Sequence, residues 1–154
     1  MRGIEGRRAI GVILDVFGEN ANHFVFIGGS IVCLYARPTG SPIRLSDDVD
    51  CLSTKQPWVL QERMLAAMCQ DGTLNPDREV QCRYHLSGKG VALDVLSPDG
   101  HNVPSNEWLK RAASNAAPYD LGDGRTVLAI TPPYFLATKL VAFEDRGPSP
   151  IESR

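Results

Sequence analysis

The run Phe24-Val25-Phe26-Ile27, ending at once in Gly28-Gly29-Ser30, constrains this chain more than any other feature. Four consecutive aromatic and β-branched residues suit a strand with no polar face, so a strand buried on both sides and entering a tight turn is expected. Cover for it is available. Ile10, Ile13, Leu14 and Phe17 recur at helical spacing over residues 8–17, and Gly18-Glu19-Asn20 stops that helix. Pro57 fits the first turn of a helix reaching about residue 70, with Leu60, Met64, Leu65 and Met68 facing inward. Pro132 and Pro133 open another, over about 134–144, with Leu136, Leu140 and Phe143 on one face. Short helices are expected over 31–36 and, capped by Asn106, through Ala113.

Further strands are predicted over 49–52, 80–86, 91–96 and 126–130, with Ser87-Gly88-Lys89-Gly90 turning the middle two into a hairpin. Residues 37–42 form a breaker-rich loop, and the tail from Arg146 is loop-like. No repeat or linker divides the chain. The expectation is one α/β (α+β) domain over residues 1–154, a mixed sheet flanked by helices.

Composition bounds the function. At 154 residues and 43% hydrophobic content, the chain can bury roughly 68 to 70% of its unfolded surface, so it needs no disulfide or metal staple. The balance of 16 basic against 18 acidic residues provides no global basic field for wrapping nucleic acid, though a local patch remains open. Cys33, Cys51, Cys69 and Cys82 contain no C-x-x-C pair and read as small, partly buried hydrophobes of a reducing compartment. No apolar run approaches the roughly 18 residues of a membrane helix. The expected location is cytoplasmic, without a membrane anchor.

Four groups of residues carry chemistry. Asp48 and Asp50 stand two apart in an extended segment and share one face, where like charges repel. Either arginines such as Arg44 or solvent relieve them, or a divalent cation does, since Mg²⁺ favours carboxylates plus phosphate oxygens and water. Asp94 interrupts the apolar run 91–96, where an unpaired carboxylate costs several kcal/mol. It belongs either to the wet face of an edge strand or, if its strand lies beside that of Asp48, to a three-carboxylate cluster of the kind that holds two metals. Gly28-Gly29-Ser30, between strand and helix, suits either a capped turn or a phosphate cradle of backbone N–H groups, helix dipole and the Ser30 hydroxyl. It is neither a Walker motif nor a Rossmann fingerprint. Lys139 lies on a mostly apolar helix, as a snorkelling surface residue or as a neutraliser of phosphate charge. His23, His85 and His101 suggest no nucleophilic triad, and the aromatic residues form no base-stacking stripe.

The order of Gly28-Gly29-Ser30, Ile43-Arg44-Leu45-Ser46-Asp47-Asp48-Val49-Asp50 and Val91-Ala92-Leu93-Asp94-Val95 resembles the nucleotidyltransferase superfamily, the group sharing the DNA polymerase beta palm. The Arg-x-Ser-x-Asp-apolar-Asp form, Cys82-Arg83-Tyr84-His85, and the segment Pro133-Tyr134-Phe135-Leu136-Ala137-Thr138-Lys139-Leu140-Val141-Ala142-Phe143 with Arg146 are similar to its AbiEii/MenT toxin branch. The resemblance spans about residues 24–154.

It implies transfer of a nucleoside monophosphate from an NTP, ATP among them, to a tRNA 3′ end or a protein hydroxyl. Mg²⁺, or Mn²⁺ in its place, would be held by Asp48, Asp50 and Asp94. Asp94 would assist the acceptor oxygen, and Lys139 would contact the phosphates and join the aspartates in the catalytic set. Gly28, Gly29, Ser30, Arg44, Ser46 and Lys139 would bind the nucleotide. It further implies a toxin with an antitoxin partner and an acidic helix beyond Arg154, making this chain a catalytic core. Arg37, Arg44, Lys55 and Arg83 are the candidate basic surface for an acceptor tRNA. A non-catalytic module binding nucleotide or a partner protein through the same fold is the alternative.

Overall fold

A computed structural model of the chain describes residues 2–35, 48–54 and 56–146. The run 24–27 is strand β1 (Phe24–Ile27), every residue of it buried. It lies inside a seven-stranded mixed sheet with β2 (Asp48–Ser53), β3 (Leu74–Pro76), β4 (Arg83–Leu86), β5 (Ala92–Leu96), β6 (Ala117–Asp120) and β7 (Thr126–Ala129), in the order β3-β4-β5-β2-β1-β7-β6. Parallel pairing joins β1 to β7 and β2 to β5; the other neighbours are antiparallel.

Among the described residues the α-helices are α1 (Arg2–Phe17), α2 (Val32–Tyr35), α3 (Trp58–Gln70), α4 (Glu107–Ser114) and α5 (Pro132–Arg146). Alternation along β1 sends Phe24 and Phe26 to one face and Val25 and Ile27 to the other. Phe17 of α1 meets Phe24 edge to face at 5.1 Å, which seats α1 on the first face. Gly6 allows this close seating, since a Cβ there would stand 3.0 Å from both the Ser30 carbonyl and Cys33 Sγ. Ile10, Ile13, Leu65, Leu74 and Leu93 complete the interior, each no more than 2% exposed. A side-chain bond from Asn106 to the Leu109 N–H caps α4, as expected.

Several expectations are corrected. The first helix begins at Arg2, and residues 18–23 continue it as a 3₁₀ turn. Leu60, expected inward, is 47% exposed, and Gln61 takes the buried position. The inward line of α3 runs through Trp58, Gln61, Leu65 and Met68, and Leu60 lies about 100° from Gln61 around the helix. Leu136, Leu140 and Phe143 do share a face of α5, but it is the outer one, 61 to 65% exposed. Residues 80–82 are not strand: Asp77 Oδ1 accepts from the N–H groups of Glu79 and Val80, holding a turn before β4. The short edge strands β3 and β6 are not predicted by any local pattern.

The loop 37–42, Arg44, Ser46 and the tail from residue 147 lie outside the described residues. Among the described residues no helix is long and apolar enough to cross a membrane. All four cysteines are free; Cys33 and Cys51 are buried, and burial raises every thiol above its ordinary pKa.

Candidate active site at the central strands

The parallel pairing of β2 with β5 sets Asp48 opposite Ala92 and Asp50 opposite Asp94. Asp48, Asp50 and Asp94 therefore share one face of adjacent strands. The edge-strand reading of Asp94 is excluded, because β5 lies between β4 and β2 and Asp94 is only 8% exposed.

Its partner is Arg83. Arg83 faces Asp94 across the β4–β5 pair; its Nε donates to Asp94 Oδ1 at 2.8 Å and its Nη2 to Oδ2 at 2.9 Å. The same Nη2 reaches Asp48 Oδ2 at 2.9 Å. Bidentate forks of this kind are among the strongest partners a carboxylate finds in a protein. The fork also turns Arg83, a candidate for an outward tRNA-binding patch, toward the aspartates instead.

Asp50 differs. Among the described residues it has no ion-pair partner of its own. Burial, then the charges of Asp94 and Asp48, push its carboxyl up to about 6, with Lys139 and Arg83 opposing. Lys139, on α5, is near enough for its charge to oppose that rise, although its side chain is exposed. Its ammonium stands 5.6 Å from the centre of the Phe135 ring. Phe135 in turn packs edge to face on Tyr35 at 5.9 Å, and the Tyr35 hydroxyl donates to the Ile130 carbonyl. That chain of contacts ties α2 and the start of α5 to the sheet end that carries the aspartates.

The Gly28-Gly29-Ser30 turn closes the same end. Ile27 pairs with Asp50, and Gly28 follows with φ +75° and ψ −166°, a conformation essentially confined to glycine. A Cβ on Gly28 would collide with the Asp50 carboxylate, its Cγ lying 3.0 Å away. The turn is thus shaped around Asp50. Residues Gly29–Ile31 form a 3₁₀ turn and α2 is only one helical turn long, so the dipole expected there is small. Ser30 is 4% exposed, and its Oγ has no hydrogen-bond partner. Such a hydroxyl costs about 1 to 3 kcal/mol until it finds one.

The candidate residues thus divide by position. The structure brings Asp48, Asp50 and Asp94 together with Gly28, next to the Gly29-Ser30 turn and within electrostatic range of Lys139. Arg44 and Ser46, with Arg37 and Lys55 of the expected basic surface, lie outside the described residues. Among the described residues no group of three or more His, Cys, Asp or Glu side chains is disposed to hold a metal ion. Arg83 binds both oxygens of Asp94 and one of Asp48. The donor chemistry nevertheless suits a hard divalent cation: carboxylates on adjacent strands, one of them short of positive charge.

Sequence reasoning misses Arg83 as part of the aspartate cluster. The hairpin holds the signal: counting outward from the Leu86–Val91 end of the turn, residue by residue, pairs Arg83 with Asp94.

No protein-family model and no curated protein matches the chain. Among solved structures it is similar to the crystal structure of an antigenic nucleotidyltransferase-like protein from Paracoccidioides brasiliensis, with a TM-score of 0.65 and 17% identity, over 96% of this chain and 70% of that one. The fold is nucleotidyltransferase-like. At that identity the likeness speaks for architecture, and the chemistry has to be argued from the residues above.

Proposed function

We propose that this chain is a nucleotidyltransferase that moves a nucleoside monophosphate from an NTP to an acceptor hydroxyl, on a tRNA 3′ end or a protein, and that it serves as the toxin of a toxin–antitoxin pair. One observation carries the catalytic part: Asp50 and Asp94 are in register on neighbouring strands, with Asp48 on the same face and the Gly28 turn moulded against Asp50. The toxin role and the acceptor rest on the sequence resemblance to the AbiEii/MenT branch.

Asp48, Asp50 and Asp94 would hold Mg²⁺ or Mn²⁺, which when bound neutralises phosphate charge and lowers the pKa of a coordinated hydroxyl. The chain's own residues do the positioning. Gly28, lacking a side chain, lets the backbone come close to a triphosphate, and the Gly29 and Ser30 N–H groups and Ser30 Oγ offer donors to its oxygens. Lys139 adds a positive charge on the α5 side. In the transfer, the acceptor oxygen bonds to the α-phosphorus as the bond to the pyrophosphate oxygen breaks, and pyrophosphate leaves. Rate in such a reaction comes mainly from positioning and charge stabilisation.

Incubation with labelled NTPs, Mg²⁺ and a pool of tRNA and proteins is expected to label an acceptor, and Asp50→Ala is expected to abolish the signal. A signal unchanged in that variant would show the labelling to be foreign to this site. A second reading has its own observation: with Arg83 holding Asp48 and Asp94, no metal cage stands ready among the described residues. That favours a module that binds nucleotide or a partner without turnover. Calorimetric binding of NTP with no pyrophosphate release across the acceptor pool would establish it.

A further inference from the structure

From the position of Arg83 we infer that its guanidinium is a built-in competitor for the metal site, holding the carboxylates in a closed, cation-free arrangement that a divalent cation must open. The inference deepens the proposed function and rests on its assignment of Asp48, Asp50 and Asp94 as cation ligands.

A cation held by these residues needs oxygen lone pairs from Asp94 and Asp48. Arg83 engages both oxygens of Asp94, at 2.8 and 2.9 Å, and Oδ2 of Asp48 at 2.9 Å. One nitrogen, Nη2, bridges the two carboxylates that would hold the cation. A guanidinium cannot lose its proton at any physiological pH, so it leaves such a position only by moving. The backbone is compatible with that movement: Arg83 is anchored in β4 opposite Asp94, yet its side chain is 27% exposed and so has solvent on one side.

Charge makes the exchange reasonable. With Arg83 in place, Asp94 and Asp48 both engage its charge, while Asp50 has no ion pair among the described residues. A divalent cation adds the missing charge where Asp50 can use it, whereas Arg83 reaches only Asp48 and Asp94. The two occupants differ in their ligands as well as their charge, and two positive groups on the same carboxylates repel each other. That repulsion is a negative coupling, and coupled sites in proteins commonly shift each other's affinity by about 5- to 150-fold.

The fork also fixes which substitution reports on it. Lysine keeps the charge of arginine but cannot hold two carboxylates in a bidentate, bridging geometry. Weak cation binding caused by simple positive charge near the site would persist in Arg83→Lys. Weak binding caused by the fork would not.

The test is the affinity of the intact chain for Mn²⁺, read from the loss of the free-ion electron paramagnetic resonance signal, without nucleotide. Arg83→Gln is expected to bind Mn²⁺ on the order of tenfold tighter than the native protein, and Arg83→Lys several-fold tighter. Equal affinity in all three, or tighter binding in Arg83→Gln alone, overturns the competitor role and leaves the metal site standing. Absence of Mn²⁺ binding from all three overturns the metal assignment itself, and the proposed function with it. Should the variants fail to fold, the native protein still decides. Its Arg83 Nε–H resonance in ¹⁵N-edited spectra is expected to be slow to exchange without cation and to lose that protection with saturating Mg²⁺. Protection unchanged at saturation would overturn the proposal.

Discussion

Among the described residues two arginines each bridge a pair of aspartates, and the two clusters differ. At the surface, Arg125 reaches Asp15 of α1 at 2.7 Å and also Asp123 in the β6–β7 turn. At the sheet centre, Arg83 reaches Asp48 and Asp94 with nearly the same lengths. The surface cluster is one arginine and two carboxylates, all three side chains exposed. The central cluster has a third carboxylate, Asp50, which is half-buried, has no arginine partner among the described residues and has a glycine turn pressed against it. Similar bond lengths thus accompany unequal charge balance. Surface ion pairs of the first kind contribute little to stability. A surplus carboxylate in the second kind of place costs stability and is characteristic of a functional site.

Four perturbations break or sharpen that contrast, from the largest expected effect to the smallest. Gly28→Ala meets both a glycine-only conformation and the Asp50 carboxylate, and is expected to cost about 3 kcal/mol in chemical denaturation. Combining it with Asp50→Ala should recover the collision part and leave the backbone strain. Asp94→Ala strands the Arg83 guanidinium next to Asp48 alone and is expected to cost nearly as much, about 2 to 3 kcal/mol, at the low end for a broken buried pair because Arg83 is partly exposed.

Asp50→Asn works in the other direction. The folded pKa of Asp50, about 6, lies above its ordinary value of 3.8, so the protonated form is the one the fold favours. Its stabilising contribution is complete below pH 3.8 and is lost as pH rises through 6. Metal-free Asp50→Asn protein, which cannot ionise there, should match the native chain near pH 4. It should exceed it by about 2 kcal/mol above pH 7, after allowance for partial solvent screening of a shift of roughly two pH units. A constant difference across that range would place the cost of Asp50 elsewhere. The smallest effect belongs to Asp123→Ala at the surface cluster, for which the unfolding midpoint is expected to stay within measurement error.

The legibility of the chain follows the same contrast between local and non-local information. Strand β1 is readable to the residue because an apolar run bounded by glycine is a local signal. The hairpin and the Asn106 cap are readable for the same reason. The aspartate face is half readable. Spacing puts Asp48 and Asp50 on one side, but only the parallel crossover that lays β5 beside β2 brings Asp94 there. Edge strands β3 and β6 carry Asn75, Pro76, Pro118 and Asp120, poor strand formers that pairing partners alone hold extended. Leu60 misleads because hydrophobicity alone does not give the helix phase, which the buried Gln61 sets. Arg83 is hidden because a charged residue in a strand reads as surface until its cross-strand partner is known. The outer face of α5 shows the converse: Leu136, Leu140 and Phe143 have the spacing of a core stripe and stand exposed.

The central claim is that the aspartate face and the Gly28-Gly29-Ser30 turn together form a nucleoside triphosphate site. A crystal structure of the protein with Mn²⁺ and a non-hydrolysable NTP analogue, measured at a wavelength where manganese scatters anomalously, tests it in one experiment. The expected result is an anomalous peak among the carboxylates of Asp48, Asp50 and Asp94, the triphosphate lying along the turn, and Arg83 released from Asp94. A triphosphate bound elsewhere, or no manganese at these three aspartates, would contradict the account.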